Sequence, residues 1–151
     1  MTEIVPMSEN NYPDAAFIES KCFFDRPWTA NQFREELDIN FSRTFIAYED
    51  GNAAGFVNIW LTPPFATINN IAVLPEMRGR GIAGSLIGRA VAVCESEGID
   101  ELTLEVRVTN TPAVSLYEKH GFKNVGRRRD FYENPREDAF IMTRPLRGDA
   151  D

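Results

Sequence analysis

Arg78-Gly79-Arg80-Gly81-Ile82-Ala83-Gly84 sits between two runs of different period. Before it, ATINNIAV from Ala66 to Val73 reads as a strand. After it, Ile82, Ala83, Leu86, Ile87, Ala90, Val91 and Cys94 recur every three to four residues, which predicts a helix with one apolar face, stopped by Gly98. The first N–H groups of such a helix have no intrahelical partner, and the helix dipole adds positive potential there. Glycines let an anion approach that backbone, so the turn is a candidate phosphate or pyrophosphate site. The alternative is a turn in which Gly79 and Gly81 only relieve steric strain.

Upstream, TEIVPM alternates weakly, as a short edge strand would. A helix is predicted over about Tyr12 to Cys22, and a second opens at Thr29, an N-cap with Gln32 at the capping-box spacing and Phe33 and Leu37 on its buried stripe. Thr44 to Tyr48 and Ala53 to Leu61 alternate with period two around Asp50-Gly51, a hairpin signal. With Ala66 to Val73 these make an antiparallel meander. Downstream, Glu101 to Val108 alternates with Leu102, Leu104 and Val106 on one face and Thr103, Glu105 and Arg107 on the other. Asn110-Thr111-Pro112 starts a short helix, with Pro112 expected at its first position and Gly121 past its end. FKNVGRRR and DAFIMTRPL predict a closing strand pair around a loop from Asp130 to Glu137. The expectation is one domain, residues 1–146, with a frayed tail from Arg147 to Asp151.

The 151 residues are 43% hydrophobic and 26% charged, enough for a packed core. Twenty-three acidic against 16 basic side chains leave a formal charge of -7, the reverse of what a nucleic-acid binder needs. An acidic surface favours a basic partner or keeps the protein in solution. Two distant cysteines, Cys22 and Cys94, and a single histidine, His120, remove Cys-rich zinc sites and two-histidine metal sites. There is no GxSxG, no apolar run long enough to span a membrane, and no signal-peptide pattern in MTEIVPMSENNY. The chain reads as cytosolic, with no metal, nucleic-acid or membrane partner.

Gly79, Gly81 and Gly84 also satisfy GxGxxG, and Glu105 lies 21 residues beyond, near where a dinucleotide fold places its ribose-binding acid. Against that reading, Leu74 to Arg78 separate the strand from the first glycine, antiparallel strands precede it, and only 67 residues follow Gly84. Arg78, Gly81 and Ala83 fill a second pattern, R/Q-x-x-G-x-G/A. At this spacing after NIAV-LP, the segment resembles the coenzyme A pyrophosphate loop of the GNAT acetyltransferase superfamily. LEVRVTNTPAVSLYEKHGF, from Leu104 to Phe122, resembles the second half of that family's acetyl-CoA site. Asp25 to Phe33, with Pro27-Trp28-Thr29, and RRRDFYENPREDAFIM, from Arg127 to Met142, resemble the bacterial RimI group. Enzymes of that group acetylate the N-terminal alanine of a small-subunit ribosomal protein.

The resemblance implies an α/β (α+β) GNAT fold, a twisted, mixed, mostly antiparallel sheet of six to seven strands flanked by about four helices. It implies acetyl-CoA as cofactor, coenzyme A as product, direct attack in a ternary complex, and a basic protein N-terminus, of ribosomal type, as acceptor. Cofactor contacts fall on Arg78, Gly79, Arg80, Gly81, Ile82, Ala83 and Gly84, on Asn110, and on Ile71, Ala72 and Val73, whose backbone supplies the oxyanion donor. Glu105 aligns with the general base, where an isolated Glu on an alternating strand would be a solvent-facing charge. Tyr117 aligns with the proton donor to the departing sulfur, and core packing is its other reading. Asn110 would cap a helix in any protein; Cys94 reads as packing and His120 as a helix end. Tyr132, Arg128 and Glu137 fall where the family binds peptide, or form a solvated charge cluster. Competing functions are acetylation of a small-molecule amine or lysine, a non-catalytic acyl-CoA-binding module, and a dinucleotide-binding domain.

Overall fold

The computed structural model describes residues 1–23 and 26–146. Asp25, at the head of one segment compared above, and the tail from Arg147 to Asp151 lie outside the described residues. Seven strands, β1 (Thr2–Pro6), β2 (Ser42–Glu49), β3 (Asn52–Thr62), β4 (Phe65–Val73), β5 (Glu101–Arg107), β6 (Lys123–Tyr132) and β7 (Glu137–Pro145), accompany four helices, α1 (Tyr12–Cys22), α2 (Ala30–Glu36), α3 (Ile82–Ser96) and α4 (Thr111–Lys119). The strand order is β1-β2-β3-β4-β5-β7-β6. β4 and β5 are parallel, and the β1–β2, β2–β3, β5–β7 and β6–β7 pairs are antiparallel. This is the mixed, mostly antiparallel sheet expected.

The chain forms two compact units, Met1–Leu61 with Ile68–Ala90, and Thr62–Thr67 with the residues from Val91 onward. In the first unit the β2–β3 hairpin turns on Asp50 and Gly51, at φ 50° and 84°, with Glu49 opposite Asn52. Positive φ at both central residues is the type I′ requirement, so the turn matches the strands' twist. Thr29 caps α2 reciprocally: its hydroxyl accepts from Gln32 N–H at 3.1 Å, and Gln32 Oε1 accepts from Thr29 N–H at 2.8 Å. Phe33 is fully buried among Ile18, Ile46, Phe56 and Ala72, edge-on to Phe56 at 5.2 Å. Burying a side chain of that size stabilises the fold by roughly 1.5–3 kcal/mol. Leu37 follows the end of α2 and stays partly buried.

In the second unit β5 alternates as the sequence requires, with Leu102, Leu104 and Val106 buried. Two expectations are corrected there. Pro112 is the second residue of α4 and Thr111 the first; the missing N–H still falls among the four that a helix leaves unpaired. The loop expected from Asp130 to Glu137 shrinks to residues 133–136, because β6 continues through a bulge to Tyr132 and β7 begins at Glu137. Asp130 takes φ 51° and donates its N–H to Asp138 Oδ1 at 2.9 Å, while Arg127 Nε donates to Asp138 Oδ2 at 2.7 Å. One carboxylate thus replaces the ladder bonds the bulge removes.

Gly55 lets β3 approach β4 closely. A Cβ there would lie 2.7 Å from the Ala72 carbonyl oxygen and 3.2 Å from Leu86 Cδ1. Gly55→Ala is therefore expected to destabilise the protein by about 1–3 kcal/mol. The measurement is a lowered urea midpoint at unchanged m value, and an unaltered midpoint would show that the strands relax at no cost.

Candidate functional site

The glycine turn is built within the first unit. After Val73 the chain passes Leu74, whose N–H donates to the Ala54 carbonyl at 2.8 Å, and a 3-10 turn, Pro75–Met77. Arg78 then folds back. Its Nε donates to the Val73 carbonyl at 2.9 Å, an oxygen that also receives the Cys22 thiol at 3.4 Å. The Arg78 side chain is thus a brace across the base of the turn. Gly79 and Gly81 take φ 79° and 81°, a region costly for any residue with a Cβ. Ser85 N–H makes the first helical bond, to the Gly81 carbonyl at 3.1 Å. The N–H groups of Ile82, Ala83 and Gly84 have no acceptor inside α3, and Gly81 has no side chain to cap them.

A Cβ built on Gly79 or Gly81 meets no atom within 4 Å. The glycines are therefore required by backbone conformation, and the space over them is open. An uncapped, positively polarised helix start facing open space fits a phosphate or pyrophosphate. Arg80 is exposed on the same turn. Of the remaining residues assigned to this half, Ala72 and Val73 are buried and Ile71 is partly buried.

The second unit brings together the acid–base candidates. Glu105 projects from β5, and its Oε2 lies 3.2 Å from Arg128 Nε. Two residues along the same face, Arg107 Nη1 donates to Glu137 Oε1 at 3.2 Å and to the Pro135 carbonyl at 3.1 Å; Nη2 donates to the Glu133 carbonyl at 3.3 Å. Its guanidinium also lies 4.3 Å from the Tyr132 ring centroid, a cation–π distance. The Thr109 side chain first, then its N–H and Arg107, hold the Glu137 carboxyl below its ordinary range against a smaller effect of burial. Burial, then the Glu105 charge, pushes the Tyr132 hydroxyl up to about 12. Tyr117, 8% exposed on α4, is likewise pushed up to about 12, by burial first and then by Tyr132. Tyr132 thus lies within electrostatic reach of both Glu105 and Tyr117. The positions read as a peptide-binding region or a charge cluster are ordered by ion pairs and ring contacts.

Asn110, His120 and Cys94 have contacts within the fold. The Asn110 side chain accepts from Ala113 N–H at 3.3 Å, capping α4. His120 ends α4, and its carbonyl accepts from Arg144 Nη1 at 2.9 Å. Cys94 is fully buried and its thiol is pushed up to about 11, mainly by burial, which suits packing.

Two residues were missed by sequence reasoning. Alternation places Arg107 on the face of Glu105, but its partners, Glu137 and the loop carbonyls, lie 26 to 30 residues away in the chain. Glu19, 3% exposed, accepts from Trp28 N–H at 2.9 Å and from Asn70 Nδ2 at 2.7 Å, joining α1 to the start of α2 and to β4. The signal was its spacing: Ala15, Ile18 and Glu19 share the buried face of α1.

Residues 13–122 match the Acetyltransferase (GNAT) family. The chain belongs to the GNAT acetyltransferase family. Its relatives include a Bacillus subtilis (strain 168) protein named as a candidate ribosomal protein bS18-alanine N-acetyltransferase, 40% identical over 120 residues, covering 79% of this chain and 80% of the relative. The crystal structure of the ribosomal-protein-S18-alanine N-acetyltransferase from Escherichia coli superposes with a TM-score of 0.88 at 30% identity, over 100% of this chain and 99% of that one. A crystal structure of the NatC complex bound to Gag peptide and CoA superposes at 0.82 with 26% identity, over 97% and 99% of the two chains. The GNAT assignment makes the protein an acetyltransferase and removes the dinucleotide-binding alternative. No helix among the described residues is long and apolar enough to cross a membrane.

Glu19 gives this GNAT chain a pH signature. Burial raises its carboxyl above the ordinary 4.5, outweighing the two donated hydrogen bonds that favour the charged form. Its contribution to stability is therefore complete below pH 4.5 and is lost as pH rises through the raised folded value. Urea titrations at stepped pH should show Glu19→Gln lacking that decline, and parallel wild-type and variant curves would contradict the assignment.

Proposed function

We propose that the protein transfers the acetyl group of acetyl-CoA to the N-terminal α-amine of a protein, its acceptor being an alanine-initiated ribosomal protein of small-subunit type. The observation that carries this is the likeness, over nearly the whole chain, to enzymes named for that alanine and that ribosomal protein. We assign the activity to one domain, residues 1–146, and a ribosomal acceptor puts the reaction in the cytoplasm.

Acetyl-CoA would supply the acetyl group as an activated thioester. The open turn from Gly79 to Gly84 would hold its phosphates on the free N–H groups at the start of α3, with Arg78 bracing the turn and Arg80 adding charge. Backbone N–H groups among Ile71, Ala72 and Val73 are assigned to the developing oxyanion, and Asn110 to the cofactor through the helix it caps. Attack forms a carbon–nitrogen bond and breaks the carbon–sulfur bond, so one proton leaves the amine and one must reach the sulfur. An α-amine, with a pKa of about 7.7–8.0, is partly neutral near pH 7 and needs only a modest base. Glu105 takes that role, directly or through water.

Tyr117 faces a steeper balance. With its hydroxyl at about 12 in the free protein and a thiol near 8.5, complete transfer of its proton costs about 5 kcal/mol. Its contribution is a hydrogen bond to the departing sulfur: Tyr117 keeps its proton, and the thiolate leaves as such or takes its proton from solvent. The formal charge of -7 steers a basic peptide toward the protein without selecting its amine.

Single-turnover rates with an alanine-initiated, arginine-containing peptide test the assignment. Glu105→Gln is expected to lose about 10²-fold or more, within the range of a positioned base, and Tyr117→Phe roughly tenfold. Acetyl-CoA affinity should change little in either, since both residues are assigned to proton movement. The same peptide with a blocked amine and an internal lysine should be a poor acceptor. Equal acetylation of the blocked peptide would refute the α-amine reading, and wild-type rates in both variants would remove Glu105 and Tyr117 from the chemistry.

A further inference from the structure

We infer that Arg128 is a positioning residue for Glu105, fixing one carboxylate oxygen so that the other is presented to the acceptor amine; this rests on the reading of Glu105 as the base. Arg128 stands on β6 and Glu105 on β5, with β7 between them. Ala139 of β7 is the register partner of both Arg128 and Arg107, and it is fully buried. Its single methyl leaves room for a guanidinium to cross β7. In the neighbouring row Glu105 pairs with Ile141 and Ile141 with Gly126, so β6 brings no side chain there. Arg128 crosses diagonally from its own row and reaches Glu105 Oε2 at 3.2 Å, its guanidinium 5.7 Å from the Phe131 ring centroid.

The contact is one-sided. Among the described residues the Arg128 ion pair falls on Glu105 Oε2, and Oε1 has no hydrogen-bond partner. The Arg128 side chain is 56% exposed, and a pair so open to water adds little to folding stability. Its use is geometric and electrostatic. A carboxylate held at one oxygen keeps its other oxygen in place, which a proton transfer over one hydrogen-bond length requires. A fixed cation beside the base also disfavours an ammonium and favours the neutral, nucleophilic amine.

A double-mutant cycle separates this role from others. Single-turnover rates would be measured with acetyl-CoA and the alanine-initiated peptide for Arg128→Ala, Glu105→Gln and the double variant. Arg128→Ala is expected to lose roughly tenfold, part of what a positioned base supplies. Arg128→Lys, which keeps the charge without the planar fork, should recover part of that loss. In the Glu105→Gln background Arg128→Ala should cost nothing further, because there is no longer a carboxylate to position. An undiminished Arg128→Ala loss on top of a Glu105→Gln defect, or an Arg128→Ala rate equal to wild type, would overturn the positioning role alone. A wild-type rate for Glu105→Gln would overturn the base assignment and this inference with it.

Discussion

The unpaired N–H groups at the start of α3 set the condition that the first unit is arranged to meet. Among the described residues no side chain caps them, since the preceding residue, Gly81, has none, and Gly79 and Gly81 hold φ values that a residue with a Cβ would adopt only under strain. The surroundings fix the turn from both sides. Arg78 and Cys22 both donate to the Val73 carbonyl, tying the turn to the end of β4 and to α1. Gly55 lets Ala72 lie close against β3, with Leu86 of α3 beside it. Small residues occur where backbones must approach, and polar side chains hold the ends.

The second unit holds several charges on one strand face, and they are not equally paired. Arg107 is fully engaged by Glu137, two loop carbonyls and the Tyr132 ring. Among the described residues Glu105 is paired with Arg128 through Oε2. Thus Arg107 orders the β6–β7 connection. Burial keeps the Tyr117 and Tyr132 hydroxyls protonated across the physiological range.

Features governed by local rules were legible from sequence: the Asp50-Gly51 hairpin, the Thr29 capping box, the alternation of β5 and the apolar stripe of α3. The turn at Gly79 to Gly84 was legible too, because glycine spacing and helix periodicity act within one short segment. The β6 bulge was not, since Asp130 adopts positive φ only with Asp138, eight residues on, receiving its N–H. Partnerships across strands or between helix and sheet were equally hidden. Arg128 meets Glu105 because Ala139 is small, and Glu19 is buried because Trp28 and Asn70 supply donors. Such long-range pairings depend on register, which alternation alone does not fix.

The most direct measurement of the central claim is an amide NMR titration of isotope-labelled protein with coenzyme A. Hydrogen bonding to phosphate should move the backbone amides of residues 79–84 furthest, with Ile82 and Ala83 among the largest shifts. It should do so in wild-type protein and much less when Gly81 is replaced by Val. Saturation by coenzyme A with those amides unmoved would contradict the account, as would equal shifts on titration with a nicotinamide dinucleotide.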